Sequence, residues 1–210
     1  MIIFDCKPSI LGPEISQLAY LKLSLAKITA KNHCFTFAQP FAKNAELIRQ
    51  DFLAREYLIG HNVLDGACLL RSEFGRCHYR WPAEINTYCT MRQTINRCGL
   101  HDGKLPRLDE LLAALEITPT AVDTWTAALY PDVTEVGPHD SRWSVAAICC
   151  VLFVLADKHQ DALPPELVEI KDYARARGSL FDPRDPDRYV NEQYYIARRR
   201  AEKRLKATIL

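Results

Sequence analysis

The chain reads as one mixed α/β domain, a central sheet of about five strands flanked by helices, followed by a polar extension. Three observations carry that reading. Strand-like periodicity dominates the first 40 residues, and beyond them short apolar strands alternate with helical stretches. An apolar content of 48% over 210 residues is ample for one sizeable core and argues against global disorder.

Met1 to Asp5 is a short buried strand that ends on an acid. Between Ile15 and Thr29 the residues alternate in part, with Leu21, Leu23 and Leu25 against Lys22, Ser24 and Lys27, the pattern of a strand or hairpin with one buried face. His33 to Phe37 is a third strand candidate, closed by Gln39-Pro40, and three strands this close in sequence predict an antiparallel meander. The period then changes. Asn44 to Tyr57 is helical in composition, Leu58-Ile59 is a fourth short buried strand, and Asn62 to Phe74 is a helix that Trp81-Pro82 closes off. Ile85 to Cys89 is a fifth strand, followed by a helix through Arg97 and a loop from His101 to Pro106. Arg107 to Leu115 is a helix with Leu108, Leu111, Leu112 and Leu115 on one face. Thr118 to Asp140 is loop-rich, with one short helix around Trp125, and Ser141 to Lys158 is the strongest helix of all. Leu163-Pro-Pro165 ends the unit, which gives a domain over residues 1–165 and an extension over 166–210. The extension is polar, carries the Asp/Pro cluster from Phe181 to Asp187, and ends in a helix-like stretch from Asn191 to Lys206.

Charge and cysteine usage narrow the class. A formal net charge of +1 supplies no global field for nucleic acid, so any such binding must come from a local patch. The first apolar run reaches Asp5 too soon for a secretory signal, and Val145 to Ala156 is too short for a membrane span and reads as a buried helix. The eight cysteines include no Cys-x-x-Cys pair, so a zinc ribbon is unsupported. Cys34, Cys68, Cys149 and Cys150 have apolar sequence neighbours, where a free thiol behaves as a small hydrophobe. The expectation is a reducing, cytoplasmic protein with free cysteines.

Four places in the sequence carry chemistry. They are Phe4-Asp5-Cys6-Lys7 with Glu14 to Ala19 downstream, Gly60-His61-Asn62-Val63-Leu64-Asp65, Tyr88-Cys89-Thr90-Met91 with Leu105 to Leu111 after it, and Gly137-Pro138-His139 before the helix from Ser144 to Leu155. In order and spacing they resemble the histidine-containing branch of the DEDD, or DnaQ-like, 3′–5′ exonucleases, over roughly residues 1–160. The resemblance implies a ribonuclease H-like fold. It also implies two-metal phosphodiester hydrolysis with Mg or Mn, in which hard cations about 4 Å apart are held by carboxylates, waters and the substrate phosphate. A histidine of near-neutral pKa would act as general base on the attacking water.

Position by position the chain departs from that pattern. Asp5 matches the first carboxylate, and His139 matches the general base. Lys7 stands where the resemblance implies a Glu, and since two like unit charges at about 4 Å repel by about 4 kcal/mol even at an effective dielectric of about 20, a lysine there opposes metal binding. Asp65 is the candidate third carboxylate, one residue closer to Asn62 than the family's spacing. Ser144, a neutral and weak Mg²⁺ ligand, stands where the last Asp is expected. Asp140 and Glu14, with Glu135 also near, are the acids placed to compensate, and Lys7 itself could fill the space of one metal as a fixed cation. Pro8-Ser9-Ile10 replaces the small and hydroxylic residues that the family sets beside the 3′-terminal nucleotide.

Simpler roles stand beside these. Asn62 is a favoured helix N-cap, His139-Asp140 suits a helix start, Cys149 and Cys150 suit the core, and Trp125 and Trp143 suit packing. The stretch from Ile196 to Lys206 holds six cations against one acid, and Arg198, Arg199, Arg200, Lys203 and Arg204, with Asn62, are the nucleic-acid-contact candidates. The leading expectation is a degenerate exonuclease homologue that binds single-stranded nucleic acid or a protein partner, pairs as a homodimer as many relatives do, and has lost most catalysis. An active atypical exonuclease using Asp5, Asp65 and His139, and a purely structural or interaction protein, are the alternatives.

Overall fold

The computed structural model describes residues 1–24, 27–81, 85–99, 104–131 and 136–164. The extension from 166 onward, with its five candidate basic residues Arg198, Arg199, Arg200, Lys203 and Arg204, lies outside the described residues, as does Glu135. Five strands form one sheet: β1 (Ile2–Pro8), β2 (Ile15–Ser24), β3 (Lys27–Cys34), β4 (Tyr57–Gly60) and β5 (Asn86–Cys89), in the order β3-β2-β1-β4-β5. The first three make the expected antiparallel meander, and β4 and β5 run parallel to β1. This is the α/β architecture anticipated from the sequence, a central mixed sheet of five strands with helices on both faces.

Three boundaries differ from expectation. The third strand is Lys27–Cys34 and not His33–Phe37, because β2 sets the register: Ser24 opposes Lys27 and Gln17 opposes Cys34. Phe35 is held by one more bond, from its N–H to the Ser16 carbonyl at 2.8 Å, and Phe37 projects fully into solvent. The short helix expected around Trp125 is present and runs over Pro119–Leu129, started by a proline in its first turn and by the Thr118 hydroxyl, which accepts from Ala121 N–H at 3.2 Å. The expected helix through Arg97 is a short turn, Thr90–Gln93, and a 3₁₀ turn, Ile95–Arg97.

The helices are α1 (Ala45–Leu53), α2 (Val63–Arg76), α3 (Thr90–Gln93), α4 (Leu108–Ala114), α5 (Pro119–Leu129) and α6 (Ser141–Lys158). Strand alternation assigns them to faces. Ile2, Phe4, Leu18 and Tyr20 point to one side and pack with Ile48 and Phe52 of α1 and Leu70 and Phe74 of α2. Ile3, Ala19, Leu21 and Ile59 point to the other and pack on α6, α4 and α5. Helix α2 sits so close to β1 that a methyl group on Gly66 would come within 2.9 Å of the Phe4 ring. Helix α6 is buried without a break from Trp143 to Ala156, which is why its sequence is apolar all round. Cys149 and Cys150 are accordingly core residues, whereas Cys34 and Cys68 are exposed, contrary to the reading from their neighbours. All eight cysteines are free, and no helix among the described residues is long and apolar enough to cross a membrane.

Candidate functional site

The alternation that sends Ile3 to the α6 face sends Asp5 and Lys7 there too, at the carboxyl end of β1. At that end α6 begins, and its first turn carries Ser141 and Ser144. The Lys7 ammonium lies 2.9 Å from Asp5 Oδ2 and donates to Ser144 Oγ at 3.2 Å. Sequence positions 5, 7 and 144 therefore meet, with a lysine joining an acid to a hydroxyl. Burial pushes the Asp5 carboxyl above the usual range, and Lys7, then Ser141 and Ser144, pull it back part of the way. Asp5 Oδ2 is buried and approached by Lys7 off the line of a well-aligned hydrogen bond, so the contact is an ion pair.

The α6 start is fixed by a separate network. Asp140 is the N-cap, accepting from Arg142 N–H at 2.8 Å, and its carboxylate also takes the Arg142 guanidinium at 2.8 and 2.6 Å and the Gln17 amide at 2.9 Å. Ser141 N–H donates to Gln17 Oε1 at 3.0 Å. Gln17 stands opposite Lys7 in the β1–β2 register, so one β2 residue ties the helix start to the strand that carries the site. Burial alone would raise the Asp140 carboxyl, but the Arg142 and Gln17 hydrogen bonds outweigh it and hold it below the ordinary range.

The opposite wall is clasped by His61, just past β4. One ring nitrogen, Nδ1, is 3.0 Å from Thr90 Oγ1, and the other, Nε2, is 3.0 Å from the Pro106 carbonyl. The carbonyl must accept, so Nε2 carries the proton, while Nδ1 lies against the Thr90 hydroxyl, whose single proton also faces the Gly60 carbonyl at 3.3 Å. Burial holds this imidazole below its usual pKa. His61 thus joins β4, β5 and the segment leading into α4.

Between these walls opens a cleft of about 930 Å³, lined by Asp5, Lys7, Ser144, His61 and His139, and by α4 and the α4–α5 turn. His139 is exposed at its mouth. Arg107 and Asp109 pair at the rim at 2.9 Å. Leu108, Leu112, Ile117, Pro119, Pro138 and Trp143 give it an apolar wall, and Trp143 is fixed by its indole N–H to Asp123 at 2.8 Å. Trp125 is buried away in the core.

Of the residues singled out from the sequence, Asp5, Lys7, Ser144 and His139 share this cleft. Asp65 does not line it: it is exposed in the first turn of α2 and takes a short hydrogen bond from the Asn62 amide. Asn62 occupies the N-cap position but in the left-handed conformation (φ 61°), so its side chain reaches Asp65 and caps no backbone N–H. Glu14 is exposed in the loop before β2, and Asp140 is occupied by its cap and ion pair. The donor set does not fit a divalent cation, because the one carboxylate at the floor is already paired with an ammonium. Among the described residues no group of three or more His, Cys, Asp or Glu converges to hold a metal. Gln17, Thr90 and Arg107 lie inside the segments named from the sequence but had no site role there, and Glu116 was not singled out. What each does follows from the fold, Gln17 through its register opposite Lys7.

No protein-family model matches the chain, and no curated protein matches it in sequence. A solved structure, exonuclease X in complex with 5′ overhanging duplex DNA, is similar to it with a TM-score of 0.42 and 14% identity, over 82% of this chain and 98% of that one.

Proposed function

We propose that this chain is a DnaQ-like exonuclease homologue that has given up two-metal hydrolysis and works by binding in the cleft at the carboxyl end of β1. The observation that carries the reading is the position of Lys7, 2.9 Å from Asp5 and 3.2 Å from Ser144. An ammonium at the floor supplies the positive charge that a divalent ion would supply, and it cannot leave. A metal entering beside it would meet a like charge and one carboxylate already engaged. Asp65 offers no relief, being turned to Asn62 at the surface.

The choice of what is bound turns on charge. Two cations, Lys7 and Arg107, face three carboxylates, Asp5, Asp109 and Glu116, in the lining. A track for a phosphate backbone needs cations in excess. The cleft therefore favours a protein partner over a nucleic-acid end, and any nucleic-acid binding falls to the basic residues from Arg198 to Arg204.

The test is incubation of 3′-labelled single-stranded DNA and RNA with the full chain in Mg²⁺ or Mn²⁺, with Asp5→Ala as control and a gel shift on the same samples. The expected result is no shortening. Metal-dependent shortening that disappears in Asp5→Ala overturns the proposal and makes Asp5, with His139, part of a working site. A gel shift without shortening, weakening steeply with salt, identifies a nucleic-acid-binding protein on this scaffold.

A further inference from the structure

Glu116 sits on the cleft rim in a conformation that suits it poorly. It follows α4 with φ at +59°, the left-handed region where glycine is favoured. The helix ends in a Schellman arrangement: Glu116 N–H donates to Ala113 O at 3.1 Å and Ile117 N–H to Leu112 O at 2.9 Å. An acid here also faces the negative end of the α4 dipole, where a cation is preferred. Its ion pair, with Lys158, is long at 3.8 Å, and its side chain is 86% exposed. Glycine would satisfy the backbone, and lysine the dipole. Neither need explains a glutamate, and strained residues concentrate at binding sites.

The rest of the cleft is already neutral in pairs. Lys7 answers Asp5, and Arg107 answers Asp109 at 2.9 Å. Glu116 is the acid with no partner among the lining residues, its long ion pair running to Lys158 outside the cleft, and it stands beside the apolar wall of Leu108, Leu112, Ile117, Pro119 and Trp143.

We infer that the cleft takes an apolar peptide segment of a protein partner carrying a single Lys or Arg, whose cation pairs with Glu116 while its apolar side chains lie on the wall. The inference rests on the binding role proposed above. It differs from nucleic-acid capture in needing neither metal nor a cation excess in the cleft.

The test is selection from a phage-displayed library of random peptides on the full chain in EDTA, which keeps the outcome separate from any hydrolytic activity. Enriched peptides are expected to be apolar with one Lys or Arg. They should lose binding to Ala113→Arg and to Pro138→Arg, two exposed lining positions on different walls. Glu116→Gly should weaken the selected peptides about two- to fivefold, the effect of one exposed ion pair, while raising the melting temperature. Glu116→Lys should turn the selection toward peptides with Asp or Glu. The inference is overturned if no peptide is enriched whose binding either blocking variant abolishes, if enrichment ignores Glu116, or if a single-stranded oligonucleotide competes the selected peptides away.

Discussion

The ion pair at the cleft floor can be weighed by a double-mutant cycle on Asp5→Asn and Lys7→Met. The charges are 2.9 Å apart, with side-chain exposures of 18% for Asp5 and 32% for Lys7. At an effective dielectric of about 20 their attraction is about 6 kcal/mol. Desolvation of both groups offsets most of that, and Lys7 retains water on about a third of its side chain, so the expected coupling is about 1–3 kcal/mol. Lys7→Met leaves a buried carboxylate without its cation and should cost about 2–3 kcal/mol. Asp5→Asn leaves an ammonium that can lean toward solvent and should cost about 1–2 kcal/mol. The double variant should lie close to the better single one. Urea unfolding followed by the fluorescence of the buried Trp125 and Trp143 measures all four corners. The pH dependence gives a second reading. Asp5 is raised in the folded state, so its contribution to stability is present below the unfolded value near about 3.9 and lost as pH rises through the raised one. Removing Lys7 should raise it further, so Lys7→Met should lose stability over a wider interval of rising pH than the wild type. A coupling below about 0.5 kcal/mol, or an unchanged interval, would refute the claim that Lys7 is the working counter-charge of this site.

Other perturbations test the remaining parts. Lys7→Glu with Ser144→Asp rebuilds a carboxylate cluster and should lower stability by several kcal/mol without metal. Mn²⁺ should then raise its melting temperature while leaving the wild type unmoved, and an equal response in both would count against Lys7 as the barrier. Asp140→Ala removes the α6 cap and its ion pair and should cost about 1–2 kcal/mol by denaturation. Because the Asp140 carboxyl is depressed, its contribution is held above its unfolded value and lost as pH falls through the folded one, so the wild-type and Asp140→Ala curves should converge in acid. His61 is held neutral by burial, so stability should fall as pH drops below its unfolded value near about 6.5, with hydrogen exchange rising first at Thr90 and in α4, and His61→Gln should flatten that dependence.

What the sequence made legible follows physical lines. The apolar start of β1 and the all-apolar run of α6 dictate their own burial, and both were readable before any fold was known. The fate of Asp65 was not, because it depends on Asn62 entering the left-handed region, which spacing only hinted at. Strand β3 was misplaced because Phe35 and Phe37 carry strong strand propensity, whereas register against β2 decided the pairing. Helix α5 was anticipated only as a short helix around Trp125, because its start signal, Thr118-Pro119, is a local cap in a mixed composition and Trp125 finds its partners only in the assembled core. The cleft is assembled from four separated segments, and residues such as Glu116 acquire meaning only from a backbone conformation that no sequence pattern announces.

A two-metal site stripped of its ions is a cluster of carboxylates that repel one another, so the scaffold around it depends on the metal for its shape. Here the same end of the sheet is held without one. Asp5 and Lys7 are fixed on one face by strand alternation, and Ser144 is delivered to them by a helix start that Asp140, Arg142 and Gln17 lock in place. Loss of a ligand alone, as by an alanine at position 7, would have left Asp5 buried and unanswered, at a cost of several kcal/mol. Under the function proposed above, the lysine satisfies the acid and closes the site to cations in the same step, which leaves a cleft that needs no divalent ion for its shape; the floor itself holds Asp5 and Lys7 as a pair. On that proposal such a floor gives a phosphate little to gain and an apolar segment little to lose, and recognition falls to the Leu112–Trp143 wall and to Glu116, which the fold holds in the left-handed region.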